Sequence, residues 1–331
     1  MSLLKTTFGA LVTGAAMIGA GLLAAAPAAA QATDYPTRPI RLVVGFSPGG
    51  PTDIVARLLA SNMGATLGQN MVVENKPGAN SNIAANEVSN ARPDGYTLLY
   101  NTSSIAISPA LYKNLTYDVK KSLTPVGLSA NVPIVLEVNP KLPVKDIKEF
   151  ETYFKQEQGK GTYSSTGNGS ITQLAAASVL NKLGVEAVHV PYPGSAPALV
   201  DLSGGVVDFM ADTVNSSLPF LKDGRLRPIA VTSKERLAVL PDVPTLRELG
   251  LQDVEIGAWQ GIMAPAGTPQ PIIDKLNAAL QKALKDPAVL KALAQQATDP
   301  LGGTPTEYGK FLDSEIERFN KLVAQNKIQM N

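Results

Sequence analysis

The chain of 331 residues has no cysteine and a single histidine, His189. The first absence excludes disulfides and thiolate metal sites, and the second argues against a histidine-built metal centre or a two-histidine mechanism. Charge of one sign is also missing. The formal net charge is +1, so no bulk basic field argues for nucleic acid. No G-x-x-x-x-G-K-[ST] stretch exists, and Gly167-Asn168-Gly169 lacks the third glycine of a dinucleotide fingerprint. The carboxylates are scattered, without a glycosidase pair or a metal cluster. No cofactor, no metal site and no catalytic residue is expected.

What is present begins with a processing segment. Lys5 supplies a weak positive start, Phe8 to Leu23 is apolar and small, and Ala30-Gln31-Ala32 fits an A-x-A cleavage site. Residues 1–32 therefore read as a signal peptide, with the mature chain starting at Thr33 in the periplasm. Without a twin arginine, general secretion is favoured. Lys5 is the only charge in this segment, so its removal leaves a neutral protein. No later segment reaches the ~20 apolar residues that span a bilayer. The mature length suffices for two domains, and 44% apolar content with dispersed charge is that of a globular protein.

The stretch Ile40 to Ala60, IRLVVGFSPGGPTDIVARLLA, organises the rest. Ile40 to Val44 reads as a buried strand. Gly45 to Thr52 is a Gly/Pro loop carrying Ser47 and Thr52, and a helix follows from Asp53, capped by Thr52 or Asp53 if the turn is an ordinary one. Helix starts leave free N–H groups and partial positive charge, and a glycine pair lets a ligand approach them. Such a turn suits a carboxylate or phosphate. The pattern recurs at Thr162 to Leu174, where a strand ends at Ser165, Gly167-Asn168-Gly169 turns, and Ser170 or Thr172 caps a helix. Neither loop contains Lys or Arg, so an anion there is held by backbone N–H groups and hydroxyls.

Alternating strands and helices call for a largely parallel sheet with covered faces. Two long strand-like segments, Val126 to Val138 (broken by Pro133) and Val254 to Met263, suggest two lobes joined by two crossings. The first lobe holds 33–130 plus 256–331, the second 131–255. Asn101 to Ser104 follow a strand over Tyr96 to Tyr100, where open α/β sheets bind ligands. Asp212, at another strand end, is a candidate to face a cleft, whereas Asp53 and Asp201 read as first-turn or surface residues.

Gly45-Phe46-Ser47-Pro48-Gly49 also matches the G-x-S-x-G nucleophile elbow of secreted hydrolases. Two features weigh against a serine enzyme. Pro48 has no N–H to serve an oxyanion. The only base, His189, lies in the alternating run VEAVHVPY and reads as structural.

Taken together, YPTRPIRLVV at 35–44, FSPGGPTD at 46–53, LGQNMVVENKPGAN at 67–80, PDGYTLL at 93–99, SSTGNGS at 164–170, HVPYPGSAPAL at 189–199, LPDVPTLRELG at 240–250 and APAGTP at 264–269 carry a resemblance. In order and spacing, over essentially the whole mature chain, it resembles the periplasmic solute-binding receptors of tripartite tricarboxylate transporters, the Bug family. The resemblance implies an α/β, type II periplasmic-binding-protein fold whose two lobes, joined by two crossing strands, close on a small carboxylate in the cleft between them. It implies membrane permease subunits as partners, and a monomer is expected. Carried over, Phe46, Ser47, Gly49, Gly50 and Thr52 face Ser165, Thr166, Gly169 and Ser170 across the cleft, with Asn101 and Thr102 beside them and Tyr192, Gly194 and Asp212 on the far side.

The chain departs from the family's usual pattern near that cleft. Gly45 replaces a usual proline, Ser47 an alanine or proline, and Gln173 a frequent histidine. Asn80-Ser81 replaces a glycine pair, and Asn101 to Ser104 is not the usual strand end. Neutral donors at these places point to an aliphatic or aromatic dicarboxylate. A receptor that feeds a sensor kinase instead of a transporter has the same sequence signature.

Overall fold

The computed structural model describes residues 34–251, 254–326 and 328. The signal peptide and its cleavage site lie outside them. In chain order the elements are β1 (Ile40–Val44), α1 (Pro51–Leu67), β2 (Met71–Asn75), a 3-10 turn (Ala79–Ser81), α2 (Asn82–Ser89), β3 (Thr97–Thr102), α3 (Ser104–Leu111), α4 (Val119–Ser122) and β4 (Leu123–Val138). They continue with α5 (Ile147–Glu157), β5 (Thr162–Ser165), α6 (Ile171–Leu183), β6 (Val188–Pro191), α7 (Ser195–Gly204), β7 (Phe209–Thr213), α8 (Val214–Lys222) and β8 (Arg227–Val231). The chain ends with β9 (Gly257–Pro265), α9 (Gln270–Ala283), α10 (Pro287–Gln295), β10 (Asp299–Gly302) and α11 (Pro305–Gln325).

Among the described residues the strands run β2-β1-β3-β9-β4-β7-β5-β6, with β8 and β10 also paired to β4. The sheet has two halves that share β4. From Leu123 to Pro133 this strand pairs antiparallel with β9, and from Ile134 to Val138 it pairs with β7. Pro133 sits at the changeover. It lacks an N–H for the ladder, and the next residue takes its bond from a side chain instead, Ile134 N–H donating to Thr232 Oγ1 at 3.0 Å. The proline that interrupts the apolar run thus marks the place where the strand passes from one half to the other.

Each half has its own core. In the first, α3 and α11 pack on β3 and β9 through Ile105, Leu111, Trp259, Tyr308, Leu312 and Phe319. In the second, Phe150 and Phe154 of α5 each pack edge-to-face on Phe209 of β7. A further group including Leu199, Leu202, Met210 and Val214 fills the other face under α7 and α8.

Strands β1, β2 and β3 are parallel, as are β5, β6 and β7. Their C-terminal ends therefore gather the loops of each half along one edge. Thr97–Thr102 runs two residues beyond the expected strand end, so Asn101 and Thr102 belong to β3. Helices α3 and α8 were not legible as helices, because Pro109 and Pro219 lie inside them. Each proline removes one i→i−4 bond from its helix.

Candidate functional site

The first loop, Gly45 to Gly50, is shaped from behind. Pro51 occupies the first helical position of α1, where a missing N–H costs nothing. The N-cap is Gly50, with no side-chain cap, so neither Thr52 nor Asp53 caps the helix. Asp53 is buried and reaches back instead, accepting from Gly49 N at 2.9 Å, Arg57 Nε at 2.9 Å and Asn75 Nδ2 at 2.8 Å. Asn75 Nδ2 also donates to the Phe46 carbonyl at 2.9 Å. Burial pushes the Asp53 carboxyl up, but its bonds from Arg57, Gly49 and Asn75 outweigh that and hold it below the usual range. Ser47 is exposed, and neither its hydroxyl nor that of Thr52 has a partner among the described residues.

The second loop is held by neutral groups. Gly169 N–H donates to Gln173 Oε1 at 2.7 Å, which turns the Gln173 amide nitrogen towards His189 Nδ1 at 3.0 Å. A donor at Nδ1 fixes the neutral tautomer with hydrogen on Nε2. His189 therefore donates to Ser165 Oγ at 2.6 Å, and Ser165 donates in turn to the Gly167 carbonyl at 3.0 Å. Burial lowers the imidazole to about 4, consistent with this neutral form. Thr166 and Ser170 both bond to Thr172 Oγ1, at 3.0 and 2.9 Å. Ser170 caps α6 and donates to the Gly167 carbonyl at 2.7 Å. The hydroxyls of Ser165, Thr166 and Ser170 are thus consumed inside the loop.

The loops meet. Asn80 Nδ2, following β2, donates to the Gly169 carbonyl at 3.0 Å. Both backbone polar groups of Gly169 are therefore engaged within the protein.

The remaining sequence-assigned residues lie along the two edges. Asn101 is buried and accepts from Tyr308 of α11 at 3.0 Å, while Thr102 pairs with Ser104 at 2.9 Å. The Tyr192 hydroxyl donates to Asp201 at 2.8 Å, so Asp201, in the middle of α7, is a brace rather than a first-turn residue. Gly194, at φ 130°, is the N-cap of α7. Asp212 is fully buried in β7, with Oδ1 accepting from Ser195 at 3.0 Å and Oδ2 without a hydrogen-bond partner among the described residues. Burial raises it to about 6, with bonds from Ser195 and Thr213 partly offsetting. Beneath it lies Glu137, also fully buried, pushed well up by burial and by Asp212, and bonded to Ser217 at 2.6 Å. Sequence reading passed over Glu137, which sits in an apolar run; Ser103, in the strand-end run it did single out, has a buried hydroxyl without a partner among the described residues. Among the described residues no metal-ligating cluster of three occurs, and no helix is long and apolar enough to cross a membrane.

Most helix starts at the two edges, that of α6 with its Ser170 cap excepted, share a feature. Those of α1, α2, α3, α7 and α8 carry no side-chain cap. Those of α4, α5, α10 and α11 are capped by Asp118, Asp146, Asp286 and Thr304. Uncapped N–H groups gathered at two facing edges form a surface suited to anionic oxygen atoms. The elbow reading does not hold geometrically, since the one histidine pairs with Ser165 as a donor and Ser47 has no base.

One sheet bent into two halves about a shared strand, with helix starts of both halves along the edges where their loops meet, defines the two-lobe solute-binding class. Residues 55–328 match the family described as the tripartite tricarboxylate transporter family receptor. The chain belongs to this family, whose members are solute-binding receptors and not enzymes. It is 36% identical over 313 residues to protein BugT of Bordetella pertussis, covering 94% of this chain and 96% of that protein. Among solved structures it is similar to Rhodopseudomonas palustris Rpa4515 with adipate, at 35% identity and a TM-score of 0.84 over 89% of this chain and 99% of that one. It is likewise similar to MatC of the same organism with bound malate, at 36% identity and a TM-score of 0.81 over 87% and 100%.

Proposed function

We propose that this chain is exported to the periplasm and captures a small dicarboxylate for the permease subunits of a tripartite tricarboxylate transporter. The observation that carries the reading is the first loop. The hydroxyls of Ser47 in the loop and Thr52 in the first turn of α1 are unpartnered among the described residues, and the start of α1 has no side-chain cap. A carboxylate fits such neutral donors without a salt bridge. That two relatives hold adipate and malate supports the ligand class. The lobes are taken as 33–130 plus 256–331 and 131–255. The change of β4 partners at Pro133, and the start of β9 at Gly257, support those limits.

The test is a thermal-shift series on residues 33–331 against succinate, adipate, malate, citrate, glutamate, benzoate and terephthalate. A ligand at a hundred times its Kd adds about 2.7 kcal/mol, a shift of several degrees. A dicarboxylate that shifts the transition while its monoamide does not is the expected result. A shift by benzoate alone, or none across the series, would overturn the dicarboxylate reading. Amino-terminal sequencing of the exported form checks the start at Thr33.

A further inference from the structure

The segment joining β2 to α2 is bent in a way its side chains disfavour. After Gly78 at φ 130°, Ala79, Asn80 and Ser81 take φ of 46°, 51° and 73°. Three successive residues with Cβ atoms in the left-handed region are unusual, and such geometry persists only where surrounding contacts over-determine it. Two contacts do so here. On one side Ser81 packs against Gly45, the first residue of the Ser47 loop. A Cβ on residue 45 would lie 1.8 Å from Ser81 Oγ and 2.7 Å from its Cα. On the other side Asn80 reaches across to the Gly169 carbonyl at 3.0 Å. That carbonyl belongs to the residue whose N–H is held by Gln173, itself tied through His189 to Ser165. The bent segment therefore connects the base of one loop to the turn of the other.

We infer that Asn80 is a clasp residue that sets how often the two lobes are closed before any ligand arrives. The hydrogen bond exists only while the loops are together, so it favours the closed state by whatever it contributes. A ligand that needs the closed state binds in proportion to that population. Asn80 is then a positioning residue for binding, and it need not touch the ligand. The inference rests on the two-lobe reading but not on the identity of the ligand.

The test uses the ligand-free protein. Because the chain has no cysteine, labels go only where cysteines are introduced, at exposed Lys113 and Lys222, one in each half. Pulsed electron–electron spin distances then report the closed and open populations. Asn80→Gly removes the amide while suiting the left-handed backbone, so its melting temperature is expected to hold or rise. The closed-to-open ratio is expected to fall about fivefold, matching the ~1 kcal/mol of one hydrogen bond. Asn80→Asp keeps the shape, places an acceptor against a carbonyl, and is expected to open the lobes as well. For any acid that binds, dissociation is expected to be faster in both variants. Unchanged distances in both variants would overturn the clasp, as would a drop in melting temperature with the closed population intact. A dicarboxylate series without a hit would leave the distance result standing and count only against the proposed ligand.

Discussion

The loop from Gly45 to Gly50 and the loop from Thr166 to Ser170 leave equivalent places, the ends of parallel strands that turn into helices, yet they are held by opposite means. Behind the first stands a buried carboxylate with a cation, Asp53 with Arg57. Because that bracing acts on backbone groups, Gly49 N and the Phe46 carbonyl, the loop's own hydroxyls are left unpartnered. The second loop has no charge behind it. A neutral relay of Gln173, His189, Ser165, Thr166, Thr172 and Ser170 fixes it and absorbs its hydroxyls. The first loop thus keeps hydroxyls that are unpartnered among the described residues, whereas the second spends its hydroxyls and the N–H groups of Thr166, Gly167, Gly169 and Ser170 on its own shape. A pair of similar sequence motifs has divided the work of shape and recognition between the halves.

The largest effect is expected at the join between this first loop and the bent segment. Gly45→Ala forces a methyl into Ser81, where the near atoms include backbone. Overpacking of this kind costs about 2–3 kcal/mol, seen as a fall in melting temperature. Ser81→Gly in the same chain removes the two nearest atoms, Oγ and Cβ, and relieves a positive φ but leaves the Cα at 2.7 Å, so the double variant is expected to recover part of the loss. Additive losses in that cycle would break the claim that these two residues are coupled. The departures Gly45 and Asn80-Ser81, noted separately in the sequence, are one structural feature.

A second effect separates the halves by pH. Asp53 is held below the ordinary carboxylate value of 3.8, so its contribution is present above that pH and lost as pH falls through its folded value. Asp212 is raised from 3.8 to about 6, so the stability tied to its protonated form is present below 3.8 and lost as pH rises through about 6. His189, lowered from 6.5 to about 4, works the other way, its contribution being present above 6.5 and lost as pH falls through 4. Over the window between 4 and 6 the two groups of the second half oppose each other. Asp212→Asn is expected to raise the melting temperature above pH 6, by the equivalent of about 3 kcal/mol, with the gain vanishing below pH 4. His189→Gln is expected to expose the fall through pH 6 that the histidine masks. Melting curves at half-unit steps of pH check both, and an Asp212→Asn gain independent of pH would defeat the assignment.

Much of this frame was legible. The strand–loop–helix pattern at Ile40 to Ala60 and at Thr162 to Leu174, and the crossing near Pro133, follow from periodicity and turn residues that act locally. What was not legible depends on contacts distant in sequence. Asp53 reads as a first-turn or surface residue, and it does lie in the first turn of α1, but its burial shows only once Asn75 and Gly49 are seen to converge on it. His189 alternates as a strand residue would, but its tautomer is set by Gln173, sixteen positions away. Glu137 lies among Ile134, Val135, Leu136 and Val138, and no local rule places a buried acid there. Helices α3 and α8 were hidden because an interior proline argues locally against a helix, and packing against distant elements overrides it.

The smallest expected effect on stability is the sharpest test of the division between the loops. Ser170 caps α6 and bonds to Gly167 and Thr172, so Ser170→Ala is expected to cost about 1 kcal/mol of stability. Ser47 is exposed and unpartnered, so Ser47→Ala is expected to change stability by less than about 0.5 kcal/mol. Binding should follow a different rule. If Ser47 donates to a carboxylate oxygen, its loss removes a charge-assisted bond of about 1.5–3 kcal/mol, and Kd rises at least tenfold. Titration calorimetry of both variants with the acid that shifts the transition reads this directly. A Ser47→Ala protein that melts as the parent does but binds tenfold more weakly would place recognition in the first loop. Equal affinity would mean that the ligand is held by backbone N–H groups alone, and that the hydroxyl of Ser47 serves only solvent.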